Sequence, residues 1–268
     1  MLAWRSRRWR WGGASVRGAR DEQQDRWGIW NTPGYPGILI VVADGMGGHR
    51  GGALAAQTVV DTAANIVREQ IGLFSEEPQA ALKLLCQQAQ AAIAALSRSA
   101  HTTLVALWLD EKRACWVHVG DSRLYLFRGG RRVLRTRDHS STQMLVELGE
   151  ISEAEMAGHP DQNRLYRSLG NNEAPKSDIG ETDSLPGDLF VLCSDGVWNY
   201  INDSEFWLSA ASSNDLSRVA ESLVKRAVQR GGARADNATL VLVRHTGSIL
   251  PEWLHWRRSK VQSPVGSG

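Results

Sequence analysis

The chain has 268 residues, 42% of them hydrophobic, and 31 basic against 29 acidic side chains give a net charge of +2. That length supports one substantial core in a single domain with short tails, and so even a charge balance gives no reason to invoke nucleic acid. No run of about eighteen apolar residues argues for a spanning helix, and Cys86, Cys115 and Cys193, isolated in apolar stretches, argue against a disulfide framework and fit a reducing cytoplasm.

The first twenty residues hold six arginines and no acid, so the remainder is mildly acidic. Residues 1–11 interleave arginine with tryptophan. Such alternation binds anionic membranes or nucleic acid in some proteins, but it equally makes a first edge strand with arginines facing solvent. An edge strand or a frayed tail is the preferred reading, and the stretch lacks the continuous apolar core of a signal peptide. Residues 38–43 then form a short apolar run that ends on Asp44 and Gly45-Met46-Gly47-Gly48. Residues 53–69 and 78–97 carry apolar stripes at helical spacing, and Pro78 is tolerated in a first turn. A second strand-like run, 115–120, leads into Asp121. Residues 124–133 read as a hairpin turned by Gly129-Gly130.

Residues 142–185 are polar, with a short helical stretch over 144–148 and a turn-rich 170–175, and are expected to be an insertion near the site. A third apolar run, 189–194, precedes Asp195. Residues 215–230 repeat the helical stripe and stop at Gly231-Gly232. The fourth run, 238–243, follows Asp236-Asn237. Beyond His245 the pattern ends: residues 251–258 suit one amphipathic turn, and the Ser-Pro-Gly-rich end from Ser259 is expected to be disordered. Helices, a hairpin and apolar strands together predict an α+β sandwich, two mainly antiparallel sheets stacked face to face with helices outside. The expected division is 1–14 as a basic extension or edge strand, 15–245 as the catalytic domain and 246–268 as a tail.

Asp44, Asp121, Asp195 and Asp236 thus each adjoin a buried-strand pattern. A single Asp-Gly at a strand end is usually an ordinary turn; if the four strands lie side by side, their carboxylates crowd at one end of the sheets. Like charges in a partly desolvated site repel, so the cluster implies cations. Oxygen ligands without a Cys pair or His cluster suit magnesium, manganese or calcium. Asp44 is the best candidate to bridge two such ions, because the glycines after it let the backbone turn and present a carbonyl.

The ordered set Asp44-Gly45-Met46-Gly47-Gly48-His49, Gly120-Asp121-Ser122-Arg123-Leu124-Tyr125, Thr136-Arg137-Asp138-His139-Ser140, Ser194-Asp195-Gly196 and Asp236-Asn237-Ala238-Thr239 resembles the motifs of the metal-dependent PP2C-type (PPM) serine/threonine protein phosphatases, bacterial single-domain type. The resemblance implies a four-layer α-β-β-α sandwich and two catalytic ions, Mn2+ or Mg2+, with a third, weaker one. By the same likeness, Asp44 bridges the two ions, Gly45 lends a carbonyl, Asp195 and Asp236 complete the first site, and Asp121 holds the third ion. Arg20-Asp21-Glu22-Gln23-Gln24-Asp25 resembles the opening motif, with Arg20 gripping the substrate phosphate and Asp25 a further candidate ligand. Without the likeness, Arg20 reads as a surface ion pair with Asp21 or Glu22. Two positions depart from eukaryotic members: Gln24 stands where a metal-binding glutamate is expected, and Met46 where a histidine would protonate the leaving group. His139 is expected to be a satisfied hydrogen-bonding residue rather than a ligand.

Both lines of reasoning imply direct hydrolysis of a phosphomonoester by a metal-bridging hydroxide, and the resemblance implies a phosphorylated protein as substrate and a Ser/Thr kinase as the opposing enzyme. A monomer in the cytoplasm is expected. One alternative is a catalytically weak phosphoprotein-binding regulator of the same fold, which should have lost one of Asp44, Asp195 and Asp236; all three remain. Another, a nucleotide phosphodiesterase, calls for a Gly-rich nucleotide cradle, and none is evident.

Overall fold

The computed structural model describes residues 8–31, 37–47, 51–96, 99–171 and 174–247. Two five-stranded sheets dominate. The first runs in the order β1 (Trp9–Val16), β12 (Ala238–His245), β11 (Leu189–Cys193), β8 (Arg123–Arg128) and β9 (Arg131–Arg135). The second runs β10 (Asp178–Asp183), β7 (Arg113–Val119), β6 (Leu104–Leu109), β3 (Ile38–Ala43) and β2 (Arg26–Trp30). Every described ladder in them is antiparallel. A small ribbon pairs β4 (Gly45–Met46) with β5 (His101–Thr102).

Both faces of the central strands are covered, which explains their unbroken apolar runs. In β3, Ile38, Ile40 and Val42 pack with Leu124, Leu126, Phe190, Leu192, Val241 and Val243 between the sheets. The alternate residues Leu39, Val41 and Ala43 face outward onto α1 (Gly51–Glu76) and α2 (Pro78–Ala94). On the opposite outer face, α4 (Asp195–Trp198), α5 (Asp203–Ala211) and α6 (Leu216–Gly231) cover Val191, Leu240 and Leu242. The layers are therefore helix, sheet, sheet, helix.

Several expected elements stand with shifted bounds. The helix expected over 53–69 is longer, reaching Glu76 through a break at Gln70. Pro78 does open α2. The hairpin turns at Gly129 and Gly130, both with positive φ, the backbone that a two-residue turn of the mirror-image type requires. The 144–148 stretch is α3 (Ser141–Glu147), capped by Ser140. The segment read as a polar insertion also contains β10, an edge strand paired with β7 whose exposed, polar sequence concealed it.

The arginine and tryptophan stretch continues into β1, the edge of the first sheet, with Arg10 exposed and Trp9 buried; Trp11 also faces solvent, so the alternation is imperfect. This strand crosses the boundary expected between residues 14 and 15, because its register with β12 is unbroken from Trp9 to Val16. Residues 1–7 and 248–268, and with them the expected amphipathic turn and disordered end, lie outside the described residues.

Candidate active site

The C-terminal ends of β3, β7 and β11 and the start of β12 meet at one end of the sandwich, around a cleft of about 660 Å³. Asp44, Asp121, Asp195 and Asp236 all line it, with Arg20, Gly45 and Met46. Two aspartates come from each sheet. The carboxylates ring the cleft, and among the described residues no three His, Cys, Asp or Glu side chains close on a single point.

Asp44 is pinned through its backbone: its N–H donates to Thr103 Oγ1 at 2.9 Å, and its carbonyl accepts from Thr102 Oγ1 and from Thr103 N–H. The next residue must be glycine, since a Cβ on Gly45 would stand 2.1 Å from the Gly52 carbonyl oxygen at the start of α1. Burial, then the charges of Asp25, Asp195, Asp121 and Asp236, push the Asp44 carboxyl well above its ordinary range. Burial likewise raises Asp195 well above that range, helped by Asp121 and Asp236, and raises Asp121 to about 7, with Asp138 the next contributor.

Asp25, the further candidate ligand, is enclosed more deeply than the other four acids. It does not line the cleft; it is 2% exposed and sits beside Asp44, accepting a 2.7 Å bond from Ser194 Oγ. Desolvation lifts it to about 6. Its short polar sequence context gave no sign that the Ser194 hydroxyl, between β11 and α4, would bond to it.

Arg20 reaches across 216 residues of sequence to donate to Asp236 Oδ2 at 2.5 Å, rather than to its neighbours Asp21 and Glu22. The hydrogen bond to Asp236 raises its pKa further. Gln24 lines the cleft, its N–H donating to Asn237 Oδ1 at 2.7 Å. Asn237 in turn donates to the carbonyls of Arg17 and Glu22, and so holds the whole Arg20 loop against β12. The sequence reading placed Asn237 in a motif but gave it no part. It also missed Asn163, which lines the cleft from the segment after α3.

Behind Asp121, Arg123 forms a buried fork with Asp138 (2.9 and 2.6 Å) and stacks on Trp198, whose Nε1 donates to the Asp121 carbonyl at 2.9 Å. His139 accepts the Gly120 N–H on Nδ1, which leaves Nε2 to face Asp178 at 3.3 Å. It is a hydrogen-bonded residue of the support, as expected, with its pKa lowered by burial. Gly48 and His49 lie outside the described residues.

Among the described residues, the cleft presents oxygen donors and no Cys or His. The enclosed Oδ1 atoms of Asp25 and Asp195 have no hydrogen-bond partner, and mutually repelling buried carboxylates are stabilised by hard divalent cations. The residues present fit magnesium or manganese.

An acidic cleft with a guanidinium at its rim suits hard cations and a phosphate group. Comparison with known proteins gives the class, a serine/threonine phosphatase. The protein phosphatase 2C pattern matches residues 12–235. The serine/threonine phosphatase stp of Listeria monocytogenes is 33% identical over 234 residues, covering 84% of this chain and 90% of its own. Among solved structures, the Mycobacterium tuberculosis serine/threonine phosphatase PstP/Ppp superposes with a TM-score of 0.75 at 30% identity, covering 90% of this chain and all of that one. The PstP catalytic domain in complex with two manganese ions gives 0.73 at 30%, covering 88% and 98%. The chain belongs to the protein phosphatase 2C family.

Proposed function

We propose that the enzyme hydrolyses phosphoserine and phosphothreonine in proteins, using two divalent cations held by Asp44, Asp195, Asp236 and the Gly45 carbonyl, and a weaker third near Asp121. The observation that carries this is the convergence of four strand-end aspartates from both sheets, with Arg20, on one cleft. The names of the relatives and the two manganese ions of PstP support it. Bound ions of this kind lower the pKa of water and offset charge on a phosphoryl group.

The chain's own side chains then have separate tasks. Arg20 binds and orients the phosphate through its planar fork. Asp25, buried beside Asp44, is the further carboxylate on which the second cation draws. Met46 carries no proton to give, so the leaving group is protonated from elsewhere. Gln24 adds no charge, which leaves the second cation more dependent on Asp44 and Gly45. The protein works as a monomer in the cytoplasm, opposing a Ser/Thr kinase in a bacterial signalling or secretion pathway.

The test is hydrolysis of a phosphothreonine peptide and of p-nitrophenyl phosphate with manganese, with magnesium and with chelator. Turnover is expected with metal and absent with chelator or in Asp44→Asn. Turnover that survives full chelation overturns the metal-dependent reading, and peptide binding without turnover identifies a regulator instead.

A further inference from the structure

We infer that His101 gives the departing alcohol its proton, an inference that rests on the phosphatase reading above. Met46 lines the cleft without a proton to give, and His101 stands directly across from it in the β4–β5 ribbon.

Residues 99–103 follow the turn that carries Asp44 along its whole length. Thr103 N–H donates to the Asp44 carbonyl at 2.9 Å, Thr102 pairs with Gly45, and His101 pairs with Met46. A Cβ on Gly47 would collide with the Ser99 carbonyl oxygen, so the two segments remain in contact to the end of the turn. Asp44, Gly45, Met46 and Gly47 all line the cleft. Residues directly opposite in an antiparallel pair share a face, with Cβ atoms about 5 Å apart. The imidazole therefore stands beside the Met46 side chain, one strand back from the cleft wall. A thioether on an unbranched, freely rotating stem is an adaptable wall, past which a ring on the neighbouring strand can reach.

The other side of the ring is closed. Leu169 exchanges backbone bonds of 2.9 and 3.1 Å with Thr102, and a Cβ on Gly170 would stand 3.0 Å from His101 Nδ1. That Nδ1 is enclosed and has no hydrogen-bond partner among the described residues, while the residue as a whole keeps part of its surface in solvent. The ring edge left to meet a substrate is that of Nε2. A histidine kept for support is normally hydrogen-bonded, as His139 is on both ring nitrogens; the Nδ1 of His101 is not. Histidine is also the side chain that most often gives and retakes a proton in such steps.

The step balances as follows. The oxygen of the attacking water bonds to phosphorus, the ester P–O bond breaks, and its electron pair passes to the seryl or threonyl oxygen. That oxygen takes the proton from Nε2. The neutral ring regains a proton from solvent, and the attacking water releases one in exchange.

The experiment compares wild type with His101→Gln on a phosphothreonine peptide and on aryl phosphates graded from p-nitrophenyl phosphate, whose leaving group departs as an anion, to phenyl phosphate, whose leaving group is more basic. In the variant, kcat on the peptide is expected to fall about 100-fold, with a much smaller loss on p-nitrophenyl phosphate and a steeper dependence of log kcat on leaving-group basicity. Each slope is a ratio within one preparation, so it reads proton donation even where the variant folds poorly. Adding Met46→His to His101→Gln is expected to restore the shallow slope. An unchanged slope in His101→Gln, or the same fold-loss on peptide and p-nitrophenyl phosphate, overturns the role of His101. A wild type inert toward every ester, or active under full chelation, overturns instead the phosphatase reading beneath it.

Discussion

Arg20 is tied to Asp236 by one short bond and is 57% exposed, so it contributes little to the fold. Its weight falls on the ligand. Charge-assisted hydrogen bonds are worth about 1.5–3 kcal/mol, so Arg20→Ala should lower kcat/KM by roughly 10- to 100-fold with an unchanged melting temperature. Arg20→Lys should recover only part of that, because an ammonium lacks the two-pronged geometry. Steady-state kinetics on a phosphopeptide decide the matter, and equal rates for arginine and lysine would refute the fork. At this scale the aspartates were legible because each adjoins an apolar run. Asn237 was not, since its task is to hold two carbonyls some two hundred residues upstream. Asn163 sits in a polar stretch with no periodicity. Its position at the cleft gives a second expectation: Asn163→Ala should change phosphopeptide KM by roughly five-fold, the worth of one hydrogen bond of about 1 kcal/mol, while p-nitrophenyl phosphate turnover stays close to wild type. Equal effects on both substrates would remove Asn163 from peptide selection.

Elements meet at two glycines whose roles separate fold from function. On Gly12 a Cβ would stand 2.1 Å from the Ser217 backbone nitrogen, where β1 packs under α6; on Gly45 it would stand 2.1 Å from the Gly52 carbonyl oxygen, where α1 starts beside Asp44. Forced overpacking of this kind costs about 1–3 kcal/mol, so both alanine variants should unfold at lower urea. Only Gly45→Ala should also lose turnover under conditions where it remains folded, because the displaced backbone carries the cleft. The strands around the acids were readable from sequence, as was α6 with its Asp215 cap and glycine stop. Others were passed over for identifiable reasons. β6 is as apolar as its neighbours and runs straight into Asp110, but no glycine stands beside that acid and it belongs to none of the motifs on which the reading was anchored. β10 is an edge strand with an exposed polar pattern. α5 has little apolar contrast, yet its capping box, Asn202 with Glu205, was a usable signal in the sequence.

Neither sheet makes the cleft alone: Asp44 and Asp121 come from one, Asp195 and Asp236 from the other. The two stacked sheets and their outer helices were readable from the strand and stripe patterns, whereas the meeting of those four acids needed the ordered motif set. Cation binding is accordingly linked to global stability, and a ligand at about 100 times its Kd adds about 2.7 kcal/mol. For a chain of this size that is a rise of roughly 5–10 °C in Tm with manganese, absent in Asp44→Asn; an equal rise in both would place the ion elsewhere. Acid acts on the molecule through a different contact. Glu205, at the start of α5, accepts from Arg226 and Arg230 of α6 at 2.8–3.1 Å, and the Arg230 bonds foremost lower its pKa from 4.5 to about 2. Between those values the unfolded chain binds more protons than the folded one, so stability rises with pH there. The contribution is complete above about pH 4.5 and is lost as pH falls through about 2. Allowing for solvent around the pair, Glu205→Gln should cost about 1–2 kcal/mol at pH 7. Urea titrations of wild type and variant should converge as pH drops from 5 towards 3, and a gap independent of pH would show that the two helices are joined by packing rather than by this carboxylate.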